Sequence, residues 1–153
     1  MYKTQQGQYK LLNEHKYIGN PNTIVYRSSW ERQFLKFLDL NDNVSKFSSE
    51  EIIIRYISPV DEKPHRYFPD FYIEFKNGRK LIVEIKPHYQ SIEPKPPQNM
   101  KNKKKLAAYM NQLETYLVNQ AKWKAAETFC KVNGFQFCVF TEHELKTLGF
   151  KMV

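Results

Sequence analysis

Pro69-Asp70 and Glu84-Ile85-Lys86 place two carboxylates fourteen residues apart, with a lysine two residues after the second. Carboxylates brought side by side by a fold repel unless a proton or cation sits between them. A hard divalent cation such as Mg²⁺ suits such a pair, because it takes a few carboxylate oxygens and leaves positions for water and phosphate oxygens. A cation held there polarises a phosphoryl oxygen and lowers the pKa of a coordinated water. A neighbouring ammonium can orient that water and stabilise charge in the transition state. The chemistry these residues could do is therefore phosphodiester hydrolysis. A lone Glu-x-Lys would equally serve as a solvated strand face, so the reading requires Asp70 and Glu84 to meet.

The segments 66–75 and 80–86 read as two strands joined through Lys76-Asn77-Gly78, and their register follows from side-chain chemistry. A two-residue Asn77-Gly78 turn would set Glu84 against Phe71 and Glu74 against Leu81, a carboxylate against an apolar group each time. A three-residue loop ending in a left-handed glycine avoids both pairings. Glu74 then faces Lys80, Phe71 faces Val83, and Ile73 faces Leu81. The same register sets Asp70 opposite Glu84, and the two-residue strand period brings Lys86 to that face.

The flanking elements are readable from periodicity and caps. Residues 1–25 show no period and predict an irregular arm that packs on the domain or meets a partner. Ser28 and Glu31 form a capping-box pattern, and Trp30, Phe34, Phe37 and Leu38 predict a helix over 29–40. A strand is expected at 52–57, an extended Pro-rich connector at 91–100, and a long helix over 101–133 with a break near Asn119. Gly134 would cap that helix, 135–140 would form a last strand, and Thr141 with Glu144 would start a short helix. The order predicts an α/β fold with a mixed sheet flanked by helices, divided into an arm (1–25) and one catalytic domain (26–153).

The net charge of +8 over 153 residues favours a polyanionic partner, nucleic acid above all. No apolar run approaches the roughly 20 residues that span a bilayer, and Met1–Gln6 has no signal-peptide character, so a cytoplasm-like compartment and no membrane are expected. Cys130 and Cys138 make no metal or redox motif, and Cys138 reads as a reduced core residue. No spacing resembles a zinc cluster, a thiol nucleophile or a nucleotide-cradling glycine loop.

With Pro69-Asp70, Glu84-Ile85-Lys86 and the upstream helix acid Glu31 in place, the chain resembles the PD-(D/E)xK nuclease superfamily. Within it, the resemblance is to the head completion nucleases of T-even-type tailed phages. It is carried by residues 26–31, 66–70, 83–87, 122–126 and 148–151, in order over about 17–151. The endonuclease subunits of heteromeric transposases are similar at greater distance. The resemblance implies a restriction-endonuclease-like fold and Mg²⁺-dependent DNA cleavage, with Mn²⁺ able to substitute. Cleavage would be endonucleolytic, with exonucleolytic action left open. Asp70, Glu84, Glu31 and the Ile85 carbonyl would hold the metal, and Lys86 would serve the attacking water. It also implies a late role in preparing packaged DNA before head–tail joining, with portal or head-vertex proteins as partners. The location would be the host cytoplasm during assembly or the virion. The alternatives are a head-closure scaffold with a vestigial site, and an endonuclease subunit of a transposition or repair complex. The arm before residue 17 matches poorly.

Lys101, Lys103, Lys104 and Lys105 open the long helix and read either as phosphate contacts or as a solvated helix start. Lys122 and Lys124 flank Trp123, a core candidate, and one of the two could face DNA. Tyr109, Leu113, Tyr116 and Leu117 predict core packing at helical spacing. His65 and His88 flank the site strands and read first as surface histidines.

Overall fold

The structure is a computed structural model that describes residues 5–152. The first four residues of the expected arm, and with them most of the Met1–Gln6 segment, lie outside the described residues, as does Val153. The arm holds two short antiparallel strands, β1 (Gly7–Gln8) and β2 (Val25–Tyr26), with a 3₁₀ turn at Glu14–Lys16 between them. It packs on the domain: Leu11, Tyr17 and Ile24 are buried in the main apolar cluster.

Helix α1 (Ser29–Leu40) forms where the spacing predicts it. Ser28 Oγ accepts the Glu31 N–H at 3.1 Å, satisfying one of the free donors of the first turn. Trp30, Phe34, Leu35 and Leu38 are its buried apolar face. The other end is tied to the arm. Asp39, fully buried, accepts from the Leu12 and Asn13 N–H groups at 2.9 Å each and from the Tyr9 hydroxyl at 3.1 Å. The buried Lys16 ammonium donates to the Leu38, Asp39 and Asn41 carbonyls at 2.6, 3.0 and 2.8 Å. A helix end leaves its last carbonyls without partners inside the helix, and a cation there also meets the negative end of the helix dipole; Asp39 O takes the Asn13 amide as well, and Asn41 O the Val44 N–H.

Strand β3 (Val44–Ser49) was not expected from the sequence, because Ser and Lys at four of its six positions hide the apolar alternation. Strand β4 (Ile54–Ile57) starts two residues later than predicted. The strand expected over 66–75 is two strands. The first, β5 (Pro64–Tyr67), pairs with β4 in a small sheet of its own, and the second, β6 (Phe71–Phe75), belongs to the main sheet. The chain changes sheets at Phe68-Pro69-Asp70, where Pro69 has no N–H to give a ladder. Strand β7 (Lys80–Ile85) pairs antiparallel with β6, with Phe71 opposite Val83, Ile73 opposite Leu81 and Glu74 opposite Lys80. The loop is Lys76-Asn77-Gly78: Phe75 N–H donates to Arg79 O at 2.8 Å, and Gly78 has φ 90°. Both are as the packing argument requires.

Helix α2 (His88–Ser91) is a short helical turn for which the sequence carried no expectation, and the expected 91–100 connector follows it. Helix α3 (Lys103–Asn133) is continuous through Asn119, starts at the Asn102 cap and ends on the left-handed Gly134. Its first half corrects the core expectation for Tyr109, Leu113, Tyr116 and Leu117. None of the four is buried, because this half runs along α2 rather than over the sheet. Strand β8 (Gln136–Phe140) pairs parallel with β7, and α4 (Glu142–Thr147) begins at the predicted Thr141–Glu144 capping box.

The main sheet has the order β3-β6-β7-β8, mixed in direction, and is the restriction-endonuclease-like arrangement that the resemblance implies. Leu81, Val83 and Ile85 face the cluster that contains α1, while Ile82 faces the cluster that contains Ala126 and Cys130 of α3. β7 is thus covered on both faces, which explains its run of five buried residues. Cys130 and Cys138 are both free thiols, as expected. Among the described residues no helix is long and apolar enough to cross a membrane.

Lys16→Ala removes three charge-assisted bonds at the α1 end and leaves the Leu38 carbonyl without a donor, while Asp39 O keeps the Asn13 amide and Asn41 O keeps the Val44 N–H. It should lower unfolding stability by about 3 kcal/mol, read as a lower urea midpoint with an unchanged slope. A loss within about 0.5 kcal/mol would show that the clamp contributes nothing.

Candidate active site

Asp70 stands where the chain enters β6. Its carbonyl accepts the Glu50 N–H at 3.1 Å, and its Oδ2 accepts the Ile85 N–H at 2.7 Å. The side chain thus reaches across to β7 one step beyond the last ladder pair, Phe71 with Val83. Charge-assisted bonds of this kind are the stronger ones. Glu84 lies on the Ile82 face of β7, towards α3. Its Oε2 accepts the Tyr67 hydroxyl at 2.8 Å, and Lys86 Nζ stands 3.7 Å from its Oε1.

Glu31 approaches from the start of α1, near enough for its charge to act on Asp70. Its carboxylate is occupied locally, however. Oε2 accepts the Arg27 N–H at 3.0 Å, and Oε1 lies 3.4 Å from the Ser28 hydroxyl. The structure therefore gathers Asp70, Glu84 and Lys86 closely and brings Glu31 to their edge. Ile85 lies between Glu84 and Lys86, with its N–H committed to Asp70.

The three acids share one electrostatic condition. Burial, then the charges of Glu84 and Glu31, push the Asp70 carboxyl well above the ordinary carboxylate range. Burial raises Glu84 too, against the opposing pull of Lys86, the Tyr67 hydroxyl and Lys122. Burial raises Glu31, against the Arg27 N–H bond. The Tyr67 phenol is pushed far up by burial and by Glu84, so it stays a donor. The donors are all oxygen and their negative charge is only partly balanced, which is the condition a hard cation relieves. The residues present fit Mg²⁺ in that sense.

Two contributors were not recognised from the sequence. Tyr67 holds Glu84 from β5, which belongs to the other sheet, so no strand parity could connect the two. Lys122, expected only as a DNA contact, is half-buried on α3 beside the acids. Its Nζ lies 5.6 and 5.8 Å from the Tyr67 and Tyr56 ring centres. Burial pulls its ammonium below the usual lysine value, while Glu84 pulls it up. An open cleft of about 480 Å³ lies in front of Glu84, walled by Arg27, Arg66, Phe68 and Lys122. The Arg27 guanidinium is held by a two-point pair with Glu50 at 3.0 and 3.1 Å. Lys124 is exposed near Lys122 on the helix. Lys103 and Lys104 are exposed in the first turn of α3, roughly 30 Å along the axis from Lys122. His65 pairs with Asp61 at 2.7 Å on the outer strand β5.

A second polar cluster was also missed. His88, Glu142 and His143 bring one ligand atom each within 4.8 Å of one another, although 54 residues separate His88 from Glu142. No local spacing could have revealed it.

The TnsA-like endonuclease N-terminal family matches residues 41–142. That span includes Asp70, Glu84, Lys86 and Lys122 and begins after Glu31. The chain is 36% identical over 145 residues to the head completion nuclease of Enterobacteria phage T4, covering 95% of this chain and 96% of the relative. No solved structure matches it. With two thirds of its length matched by the family and nearly its whole length by a nuclease, the chain belongs to the TnsA-like endonuclease family.

Proposed function

We propose that the chain is a Mg²⁺-dependent deoxyribonuclease of phage head completion, and that Asp70, Glu84 and Lys86 are its reacting centre. The observation that carries this is the meeting of buried Glu84 with half-buried Asp70, two mutually repelling carboxylates, and with Lys86, where Glu84 lines a cleft that also holds Arg27, Arg66 and Lys122. Asp70 and Glu84 would hold the ion, with the Ile85 carbonyl and Glu31 completing its surroundings. Mn²⁺ would substitute. The ion supplies Lewis-acid polarisation of the phosphate and a more acidic water.

The chain's own groups do the rest. Tyr67 fixes the Glu84 carboxylate by its hydroxyl, and the Ile85 N–H fixes Asp70, so neither acid has to reorganise when substrate arrives. Lys86 orients the attacking water and stabilises charge on the phosphate. Arg27, Arg66 and Lys122 draw the DNA backbone into the cleft by charge, with Lys103, Lys104 and Lys124 as outer contacts. The T4 relative is a head completion nuclease, and in that role the substrate of this chain would be packaged DNA, trimmed or prepared before the head joins its tail. The partners would then be portal or head-vertex proteins, met in the host cytoplasm during assembly, with the virion as a later location. An intact acid–acid–Glu-x-Lys set favours this over a scaffold, because a scaffold needs no repelling carboxylates.

The test is plasmid cleavage with Mg²⁺, Mn²⁺ or EDTA. Wild type should cut with either metal and not in EDTA. Asp70→Ala, Glu84→Gln and Lys86→Ala should each lose about 10²–10³-fold in rate. Cleavage by wild type and Asp70→Ala alike, or by neither, counts against the site.

Stability provides a second check. The Asp70 carboxyl binds its proton more tightly in the folded protein than in the unfolded chain. Folding therefore bears a cost above the raised folded value, and that cost fades as pH falls towards the ordinary carboxylate range. In EDTA at neutral pH, Asp70→Asn should be neutral or raise stability by about 1 kcal/mol, with the gain vanishing in acid. A large drop in melting temperature would instead make Asp70 a structural residue.

A further inference from the structure

We propose that His88, Glu142 and His143 form a second metal site, for a transition metal of the Zn²⁺ class, distinct from the acids at Asp70 and Glu84. The site is built where the two parallel strands end. Ile85 of β7 lies opposite Phe140 of β8, and the Lys86 N–H donates to the Phe140 carbonyl at 3.0 Å. The continuations of both strands, Pro87-His88 and Thr141-Glu142-His143, therefore leave the sheet side by side. Pro87 stops β7, and the Thr141 capping box fixes the start of α4, so both branches are held.

The three ligand atoms lie within 4.8 Å of one another. The two imidazole rings stand edge to face with centres 5.0 Å apart. The Glu142 carboxylate is oriented by the His88 backbone N–H, which donates to both oxygens at 3.2 Å, and its Oε1 lies 3.8 Å from His143 Nε2. A ligand held by an outer hydrogen bond in this way is typical of built metal sites.

Donor chemistry selects the metal. Two imidazole nitrogens and one carboxylate oxygen suit Zn²⁺ and its neighbours, whereas Mg²⁺ prefers oxygen throughout. His88 and His143 are exposed, so a fourth position is open to water or to a phosphate oxygen. His88 follows Lys86 by two residues, at most about 7 Å of chain. An ion here would brace the exit of β7 beside Lys86 and add positive charge next to the cleft. The proposal stands on these three residues and does not require the nuclease reading.

The test is calorimetric titration of Zn²⁺ into chelator-stripped protein, with melting temperature followed in parallel. Wild type and Asp70→Asn should each bind one equivalent at this site and gain thermal stability from it. His88→Ala and His143→Ala should melt like wild type in EDTA, bind at least ~10-fold more weakly and lose the stabilisation by Zn²⁺. Co²⁺ should give visible d–d bands in wild type that disappear in the histidine variants. Unchanged Zn²⁺ affinity in both histidine variants, no Zn²⁺ binding by wild type, or binding abolished by Asp70→Asn alone would overturn the proposal.

Discussion

The bond from the Ile85 N–H to the Asp70 carboxylate joins the packing of the molecule to its chemistry. Pro69 takes the chain out of the small sheet, and Phe71 begins the large one. Between them Asp70 has no ladder partner of its own, so its side chain meets the Ile85 N–H of β7 in place of a backbone carbonyl. That places a carboxylate at the open end of the hairpin, beside Glu84. An apolar side chain there would pack but leave the Ile85 N–H unmet, and an unmet buried donor costs about 1–3 kcal/mol. The position therefore demands an acceptor, and the one present carries a charge that the surroundings resist.

The burial of β7 on both faces creates that resistance. Leu81, Val83 and Ile85 lie against the α1 side, and Ile82 lies against α3. Glu84 follows Ile82 onto the α3 side, where Tyr67 and Lys122 are the polar groups that receive it. Lys122 lies against the Tyr56 and Tyr67 rings, which hold the ammonium close to the acids without a direct ion pair. The site therefore draws on the main sheet, on the β4–β5 sheet and on both large helices. Its acids accept from neutral donors, the Ile85 N–H and the Tyr67 hydroxyl, and Lys86, 3.7 Å from Glu84, balances only part of their negative charge, which leaves the rest for a cation.

Much of this is legible in the sequence wherever local chemistry decides. The Lys76-Asn77-Gly78 loop, the pairing of Glu74 with Lys80, the α1 face and the Thr141 cap all follow from neighbours in the chain. The hairpin register alone predicts that Asp70 and Glu84 meet. What escapes is contact across long separations. Tyr67 reaches Glu84 from another sheet, Lys16 closes the far end of α1, and His88 meets Glu142 and His143 only because β7 and β8 run parallel. β3 escapes for a different reason, since its serines and lysine carry no period. Glu31 shows a limit of residue type: one glutamate can serve a helix start and a metal, and here its oxygens stay with Arg27 and Ser28.

The parallel joining of β7 to β8 also orders the assembly of the molecule in time. The hairpin of β6 and β7 closes over a three-residue loop, whereas Val83 meets Cys138 only after the whole of α3 has been laid between them. Loop-closure entropy grows with the length enclosed, and distant pairings slow folding most. Asp70 and Glu84 can therefore come together early, while Lys122 and the two strand ends at His88 and Glu142 are joined to them last. During synthesis the hairpin leaves the ribosome well before Lys122 does, so a nascent chain holds the repelling acids, with Arg27 and Arg66 already made, before the α3 lysine can join them.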